Sequence, residues 1–185
     1  MIIRTPLRLS LVGGGSDLRY FYEINGGMSI GLGLNYFNYI FFTNSYNNTN
    51  HIISDKENIV TNDHNNIKDT LIRNICIKYK LNNKKIFIFS DLPYGSGLGS
   101  SSAMCVGVIN GINKINNLKL NKQQIAESAF GIEELATGST IGKQDHYMSS
   151  FGNINLFKYN KDSSTDIENI KISNEKINDF ESNLL

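Results

Sequence analysis

The sequence contains few cysteines and carries almost no net charge. Its two cysteines, Cys76 and Cys105, stand among apolar residues, which predicts buried thiols rather than a disulfide or a metal site. The histidines His51, His64 and His146 lack the spacing of metal ligands. The formal net charge is +1 and the basic residues are scattered. The sequence therefore offers no basic surface for a nucleic-acid partner.

Long hydrophobic runs are also missing. The longest apolar stretch, residues 28–42, is interrupted by glycine and asparagine and is too short to span a bilayer. The N-terminus has no basic segment followed by an apolar run, as a secretory signal requires. We therefore expect a cytoplasmic protein without a membrane partner. The chain of 185 residues is long enough for one domain with a substantial core.

The order of apolar patterns places most predicted strands before the helices. Strands are predicted at residues 2–12, 28–34, 37–43, 51–54, 86–89 and 154–159, and helices at 18–24, 66–79, 104–115, 121–135 and 142–150. This order favours an α+β fold over a doubly wound parallel sheet. The last residues, from 160 onward, are polar and have only weak periodicity.

One glycine- and serine-rich segment is chemically the most informative. The run DLPYGSGLGSSSA, residues 91–103, lies between a predicted strand and a long apolar segment. Glycine permits backbone conformations closed to other residues and a close approach to a ligand. A helix N-terminus favours an anion, because its free N–H groups and positive dipole end face the ligand. The segment predicts a phosphate-binding loop; a glycine hairpin before a serine-capped helix is the structural alternative.

The same segment matches neither of two common phosphate-binding patterns. A Walker A loop needs a lysine after its glycines, and the dinucleotide-binding pattern has a different glycine spacing. The run does resemble the second motif of the GHMP kinase family, the galactokinase, homoserine, mevalonate and phosphomevalonate kinases. There the loop wraps the ATP triphosphate, and one of its serines helps to bind Mg²⁺. The resemblance implies ATP contacts from Pro93, Gly95, Ser96, Gly97, Leu98, Gly99, Ser100, Ser101 and Ser102.

The N-terminal segment, residues 4–17, resembles the first motif of the family. Its glycine triplet followed by serine and aspartate is similar to D-glycero-D-manno-heptose 7-phosphate kinases. The resemblance implies that Asp17 binds sugar hydroxyls and that Arg8 lies near the transferred phosphate. It also implies that Gly13, Gly14, Gly15 and Ser16 orient the sugar. A carboxylate can accept two hydroxyl hydrogen bonds, and a guanidinium can bind phosphate through two. Without the resemblance, Asp17 would be a helix cap and Arg8 a surface residue on a strand.

A third segment, residues 133–147, contains adjacent glutamates, a glycine turn and an aspartate. It resembles the region where the family places a magnesium-binding glutamate and the catalytic aspartate. The resemblance assigns Mg²⁺ to Glu133 with Ser101, catalysis to Asp145, and charge neutralisation to Lys143.

The neighbouring Glu134 leaves an alternative open, because an alignment shift of one residue would choose it instead. Adjacent residues on a helix point about 100° apart, so one of the two glutamates can face the loop. Without the resemblance, the pair would be a solvated helix face and Asp145 a helix cap.

Together the motifs imply a GHMP kinase N-terminal domain of the ribosomal protein S5 domain 2-like fold, with a mixed or antiparallel sheet packed on helices. This domain would span residues 1–157, and residues 158–185 would be a polar tail at the start of a missing C-terminal domain. The implied reaction transfers phosphate from ATP, with Mg²⁺, to the anomeric hydroxyl of D-glycero-D-manno-heptose 7-phosphate. The product, the 1,7-bisphosphate, would serve activated heptose and surface polysaccharide synthesis.

Family members are longer than this chain, which leaves other functions open. Their C-terminal domain carries a further glycine-rich motif that nothing after Gly152 matches. The chain would then be a truncated, catalytically weak ATP-binding fragment that needs a separately encoded C-terminal half. Another GHMP sugar kinase, fucokinase- or galactokinase-like, is a second alternative. A nucleic-acid binder of the S5 fold is a third, which the lack of a basic surface disfavours.

Overall fold

The structure is a computed structural model and describes residues 1–138 and 140–183. The elements in chain order are β1 (Ile2–Val12), α1 (Arg19–Asn25), β2 (Gly27–Asn44), β3 (Asn50–Ile53), β4 (Asn58–Thr61), α2 (Thr70–Lys78), β5 (Lys84–Ser90), α3 (Ser100–Ile115), α4 (Lys122–Thr137), α5 (Gln144–Phe151), β6 (Ile154–Tyr159), β7 (Thr165–Asn169) and α6 (Asn174–Ser182), with a 3-10 turn at His64–Asn66 before α2. Along the described ranges, no helix is both long and apolar enough to cross a membrane.

Strand β2 is the centre of the sheet. Its residues 27–32 pair with β6, its residues 38–44 pair with β5, and β1 runs along its other edge. The strand order is β4-β3-β5-β2-β6-β7, with β1 also paired to β2. The β3–β5 pair is parallel and the other described pairs are antiparallel. A mostly antiparallel sheet packed on helices confirms the predicted α+β fold.

The prediction of two strands at 28–34 and 37–43 is wrong, because β2 is continuous. Its pairing with β1 shifts register between Pro6–Phe37 and Arg8–Gly33. Asn35, which lies between Gly33 and Phe37, is therefore in an irregular part of the strand rather than in a turn. Proline has no N–H to donate to a partner strand, and such irregularities often re-aim neighbouring side chains. Arg8 follows directly after this one.

Helix α3 packs very closely on the sheet. A Cβ atom on Gly107 would lie 2.3 Å from Ile40 Cδ1, and one on Gly111 would lie 2.1 Å from the Phe42 ring. These two glycines allow α3 to approach β2 where any larger residue would collide. The close contact holds the N-terminus of α3, and the glycine loop before it, against the sheet.

The sheet continues beyond the predicted domain boundary at residue 157. Strand β6 ends at Tyr159, and β7 pairs with it from Thr165 to Asn169. Residues 158–169 are therefore part of the same sheet rather than of a polar tail. The last two residues of that predicted tail, 184 and 185, lie outside the described residues.

Both cysteines are free and buried, as predicted. Burial raises the pKa of Cys76 to about 12 and raises the pKa of Cys105 well above its ordinary value. Such thiols are inert toward metals and oxidants while the fold is intact.

Candidate active site

The glycine loop has the backbone conformation that its composition predicts. Gly95, Gly97 and Gly99 all have positive φ angles, of 86°, 76° and 71°. Gly99 is the N-cap of α3 in the left-handed conformation. Because glycine has no side chain to occupy the first N–H groups of the helix, these groups remain free for an anionic ligand.

The three loop serines differ in what their hydroxyls contact. Ser101 Oγ donates to Glu133 Oε1 over 2.7 Å, and Ser102 Oγ donates to Glu133 Oε2 over 2.8 Å. Ser100 is buried, and its hydroxyl has no hydrogen-bond partner within residues 1–138 and 140–183. A buried hydroxyl without a partner is unusual, and this one lies at the start of the helix that follows the loop.

Glu133 is the buried centre of this group of side chains. In addition to the two serines, His146 Nε2 lies 2.6 Å from Glu133 Oε2. Burial on its own raises the pKa of the Glu133 carboxyl, but the hydrogen bonds from His146, Ser101 and Ser102 outweigh it, and the pKa falls below its ordinary value. The structure therefore brings Glu133 to the loop as an anion.

Glu134 points elsewhere. Its carboxylate accepts hydrogen bonds from Arg19 Nη2 and Nε, over 2.9 and 3.2 Å. Arg19 is exposed and belongs to α1. The alternative that Glu134 faces the loop is therefore wrong. Because Glu133 and Glu134 point in different directions around α4, only Glu133 contacts the loop serines.

Arg8 and Asp145 form an ion pair next to the glycine loop. Arg8 Nε donates to Asp145 Oδ1 over 2.6 Å and Nη2 donates to Oδ2 over 2.5 Å, which is a bidentate pair. Arg8 Nη1 also donates to the carbonyl of Gly97 over 2.7 Å, and the backbone N–H of Arg8 donates to Leu98 O over 3.0 Å. The pair is partly exposed, with 15% of the Arg8 and 29% of the Asp145 side chain accessible. Arg8 therefore joins the loop to Asp145.

Asp17 is buried and caps a different helix from the one predicted. Its Oδ2 accepts from the N–H of Gln144, the first residue of α5, over 3.0 Å, and its Oδ1 accepts from Gly15 N over 3.0 Å. The N-cap of α1 is Leu18. A Cβ on Gly142 would lie 1.8 Å from Asp17 Oδ2, so this close packing requires glycine. The carboxylate thus fixes the start of α5, and each oxygen keeps a lone pair for a further donor.

The glycine triplet is connected to the start of β2 through Ser16. Ser16 Oγ lies 2.7 Å from Gly13 O and 2.8 Å from Met28 O, and it accepts from Met28 N over 3.0 Å. A Cβ on Gly13 would lie 2.0 Å from Met28 O. Gly13 and Gly15 have positive φ angles, of 87° and 89°. The predicted sugar-orienting segment, including Gly14, is therefore a tight turn beside Asp17.

In the part of the chain that the structure describes, the Lys143 ammonium bonds neither the glycine loop nor Asp145. Its side chain is 3% exposed, and Nζ donates to Glu127 Oε1 over 2.9 Å and to Ser163 O over 2.7 Å. The ammonium also lies 5.3 Å from the Tyr22 ring centroid and 5.6 Å from that of Phe130. A buried ammonium needs such partners. The predicted role of Lys143 at the transferred phosphate therefore conflicts with its position.

Two residues of α5 that the sequence did not single out take part in the site. His146 bonds Glu133, and Gln144 Nε2 donates to Ser10 Oγ over 2.6 Å. The Gln144–Ser10 contact joins elements far apart in the chain, and the His146–Glu133 contact joins two consecutive helices, so no spacing within one element indicates either contact. The adjacency of His146 to the candidate catalytic Asp145 was the available signal.

The comparisons with known proteins point to the same family as the sequence motifs. The family model described as "GHMP kinases N terminal domain" matches residues 65–153. This range includes the glycine loop, Glu133 and Asp145. Residues 65–153 match the N-terminal domain of the GHMP kinases, which confirms the resemblance over that part of the chain.

Individual relatives are similar over almost the whole chain. The D-glycero-alpha-D-manno-heptose 7-phosphate kinase of Campylobacter jejuni is 29% identical over 183 residues, covering 92% of this chain and 54% of the relative. The crystal structure of a D-glycero-D-manno-heptose 1-phosphate kinase from Bacteroides thetaiotaomicron matches with a TM-score of 0.90 and 26% identity, over 98% of this chain and 63% of that one. Mevalonate kinase of Methanococcus jannaschii, at 21% identity and a TM-score of 0.71, shares the fold. The chain spans about half the length of the curated heptose kinase that it matches.

Proposed function

We propose that this chain is the ATP-binding part of a sugar kinase that phosphorylates D-glycero-D-manno-heptose 7-phosphate at its anomeric hydroxyl. The observation that carries the proposal is the convergence of the glycine loop, Glu133 and the Arg8–Asp145 pair at the N-terminus of α3. The choice of a heptose phosphate is supported by the two heptose phosphate kinases to which the chain is similar. The product would be the 1,7-bisphosphate, for activated heptose and surface polysaccharide synthesis.

ATP would bind with its phosphates at the glycine loop. The free N–H groups at the start of α3 and the positive φ angles of the glycines suit a close approach of phosphate oxygens. The unpartnered hydroxyl of Ser100 lies at the same helix start. These features favour a polyphosphate over an uncharged ligand.

Mg²⁺ fits the donor set next to this loop. Glu133 and Ser101 offer a carboxylate oxygen and a hydroxyl oxygen, and Mg²⁺ prefers one or two carboxylates completed by substrate phosphates and water. Among residues 1–138 and 140–183, no cluster of three or more His, Cys, Asp or Glu side chains could hold a metal. The ion would bind together with the nucleotide, held by Glu133 and Ser101, and would supply positive charge that offsets the phosphate charge.

Arg8 and Asp145 would act on the acceptor side. Phosphoryl transfer depends mainly on positioning and charge stabilisation. Arg8 holds both oxygens of Asp145 in a fixed orientation. Each oxygen keeps a lone pair that can accept a hydrogen bond from the attacking sugar hydroxyl. The guanidinium also carries positive charge at the loop, where it can offset charge on the transferring group.

The chain covers only part of its relatives, so a weakly active fragment is the second candidate. A site without a closing domain stays exposed to water, where electrostatic stabilisation is weak. Such a fragment would bind ATP and would need a separately encoded C-terminal half for rapid turnover.

The test combines binding and turnover. Isothermal titration calorimetry would measure ATP binding with and without Mg²⁺, and a coupled assay would measure ADP release with the heptose 7-phosphate, galactose, fucose and mevalonate. We expect Mg²⁺-dependent ATP binding and turnover fastest with the heptose phosphate. Binding without turnover supports the fragment, faster turnover of another sugar overturns the substrate, and absence of ATP binding overturns the proposal.

A further inference from the structure

His146 is a buried histidine that lies between the two halves of the proposed site. It is the third residue of α5, directly after Asp145, and it is 1% exposed. Its Nε2 lies 2.6 Å from Glu133 Oε2, whereas Asp145 bonds Arg8. The first turn of α5 therefore carries the Asp145 carboxylate and, in the next residue, the imidazole that bonds the Glu133 carboxylate.

The direction of the His146–Glu133 hydrogen bond follows from the chemistry of the carboxylate. An ionised carboxylate has only acceptor atoms, so the proton of the hydrogen bond is on Nε2. Nδ1 is buried and has no hydrogen-bond partner within the described part of the chain. The Phe130 ring packs edge-on against the imidazole, with centroids 5.7 Å apart. The ring is thus held in one orientation, with its Nε2 donor directed at Glu133.

Counting hydrogen bonds separates the two oxygens of Glu133. Oε2 accepts from both Ser102 and His146, which fills its two lone pairs. Oε1 accepts from Ser101 alone, so one lone pair remains. Ser101 is partly exposed, whereas Ser102 is buried. The free lone pair therefore belongs to the oxygen that lies beside the more accessible serine.

We propose that His146 is a positioning residue that anchors Glu133 Oε2, so that Oε1 and Ser101 Oγ are the oxygens offered to Mg²⁺. This role rests on the proposed function, since it requires a magnesium–nucleotide site at the loop. Without the donor on Nε2, the carboxylate regains a lone pair on Oε2 and can rotate away from the orientation that serves the metal. Loss of such an outer hydrogen bond commonly lowers metal affinity by about 10- to 100-fold.

Two polar variants of His146 test this role. In His146→Gln, the amide nitrogen can occupy the place of Nε2 and keep the donor; in His146→Asn, the shorter side chain places its amide nearer the position of Nδ1. Calorimetry on the full chain would measure the dissociation constant of ATP with and without Mg²⁺. Mn²⁺ electron paramagnetic resonance with ATP would report the metal environment directly.

We expect His146→Asn to weaken Mg²⁺-dependent ATP binding by about tenfold and to leave metal-free ATP binding within about twofold. His146→Gln should restore the Mg²⁺ effect to within about threefold of the unaltered chain. Circular dichroism and thermal unfolding identify the folded variants, and His146→Leu, which has no donor, is a second variant that removes the Nε2 hydrogen bond.

Three results would overturn the role. They are normal Mg²⁺ dependence in both the Asn and the Leu variants, equal losses of ATP binding with and without Mg²⁺, and equal losses in the Gln and Asn variants. In each of these three cases the unaltered chain still binds ATP, so the proposed function stands and only the role of His146 is overturned. Absence of ATP binding by the unaltered chain instead overturns the proposed function, and with it the role of His146.

Discussion

Arg8 and Lys143 carry the same charge, and the family resemblance implies the same task for both, yet their surroundings differ. Arg8 is on β1 and bonds Asp145 and the glycine loop. Lys143 precedes α5 and is enclosed with Glu127, Ser163 and two aromatic rings. Lys143 and Asp145 are two residues apart, which places them about 200° apart around a helix. Although Lys143 and Asp145 are close in sequence, their side chains therefore point in different directions. We expect Arg8 to serve the chemistry and Lys143 to serve stability.

The largest effect that would test this comparison is on turnover. Asp145→Asn keeps the size of the side chain but removes the charge that Arg8 binds and the oxygen that would accept the hydroxyl proton. We expect ADP release to fall by about 100-fold or more. Lys143→Met should keep turnover within about threefold per folded molecule. A comparable loss in both variants, measured in the same coupled assay, would contradict the division of roles.

The next effect concerns stability. Lys143→Met leaves Glu127 without its cation and removes the buried ammonium that joins α5 to the β6–β7 turn. Because the Glu127 side chain is 37% exposed, we expect a loss of about 1–3 kcal/mol in the free energy of unfolding, less than for a fully buried pair. Urea unfolding followed by circular dichroism would measure it. The double variant Lys143→Met/Glu127→Gln, as a matched control, should lose less than the sum of the single changes.

A smaller effect separates the adjacent glutamates. Glu133→Gln neutralises the carboxylate that bonds Ser101 and Ser102, so we expect Mg²⁺-dependent ATP binding to weaken by about tenfold. Glu134→Gln is the matched control, since Glu134 points about 100° away around the helix, bonds Arg19, and should leave that binding unchanged when altered. Calorimetry with and without Mg²⁺ measures both. A larger loss of Mg²⁺-dependent ATP binding in Glu134→Gln than in Glu133→Gln would show that Glu133 is not the metal ligand.

The smallest effect is expected at the surface. Arg19→Ala removes the exposed ion pair with Glu134, which should change the free energy of unfolding by less than about 1 kcal/mol. Thermal or urea unfolding can test this, with Lys143→Met as the internal comparison. A loss larger than that of Lys143→Met would show that exposure is a poor guide to the importance of these cations.

Much of the fold follows from local patterns. The strand predicted at residues 154–159 is β6, and Asn121 caps α4 in a capping box with Gln124, as its position before an apolar segment indicates. Strand β4, four residues at an edge of the sheet, was not predicted because its short pattern carries little signal. The sequence did not predict a continuous β2, because the glycine and asparagine residues at its irregular pairing with β1 are also typical of a turn.

The candidate site was predictable where a motif is contiguous. The glycine loop and the choice of Glu133 over Glu134 agree with the structure, since both depend on spacing within one segment. Lys143 and His146 were not predictable in the same way. Their surroundings are created by helix packing between α4 and α5, and that contact has no local periodicity.

The close contact of α3 with β2 also matters for engineering the protein. Gly107 and Gly111 determine how deeply the helix sits on the sheet, and the helix begins at the proposed phosphate site. A larger residue at either position would push the helix outward and displace the loop without altering any residue that contacts a ligand. Selection for altered nucleotide preference could therefore yield substitutions in the hydrophobic core, several turns from the nucleotide.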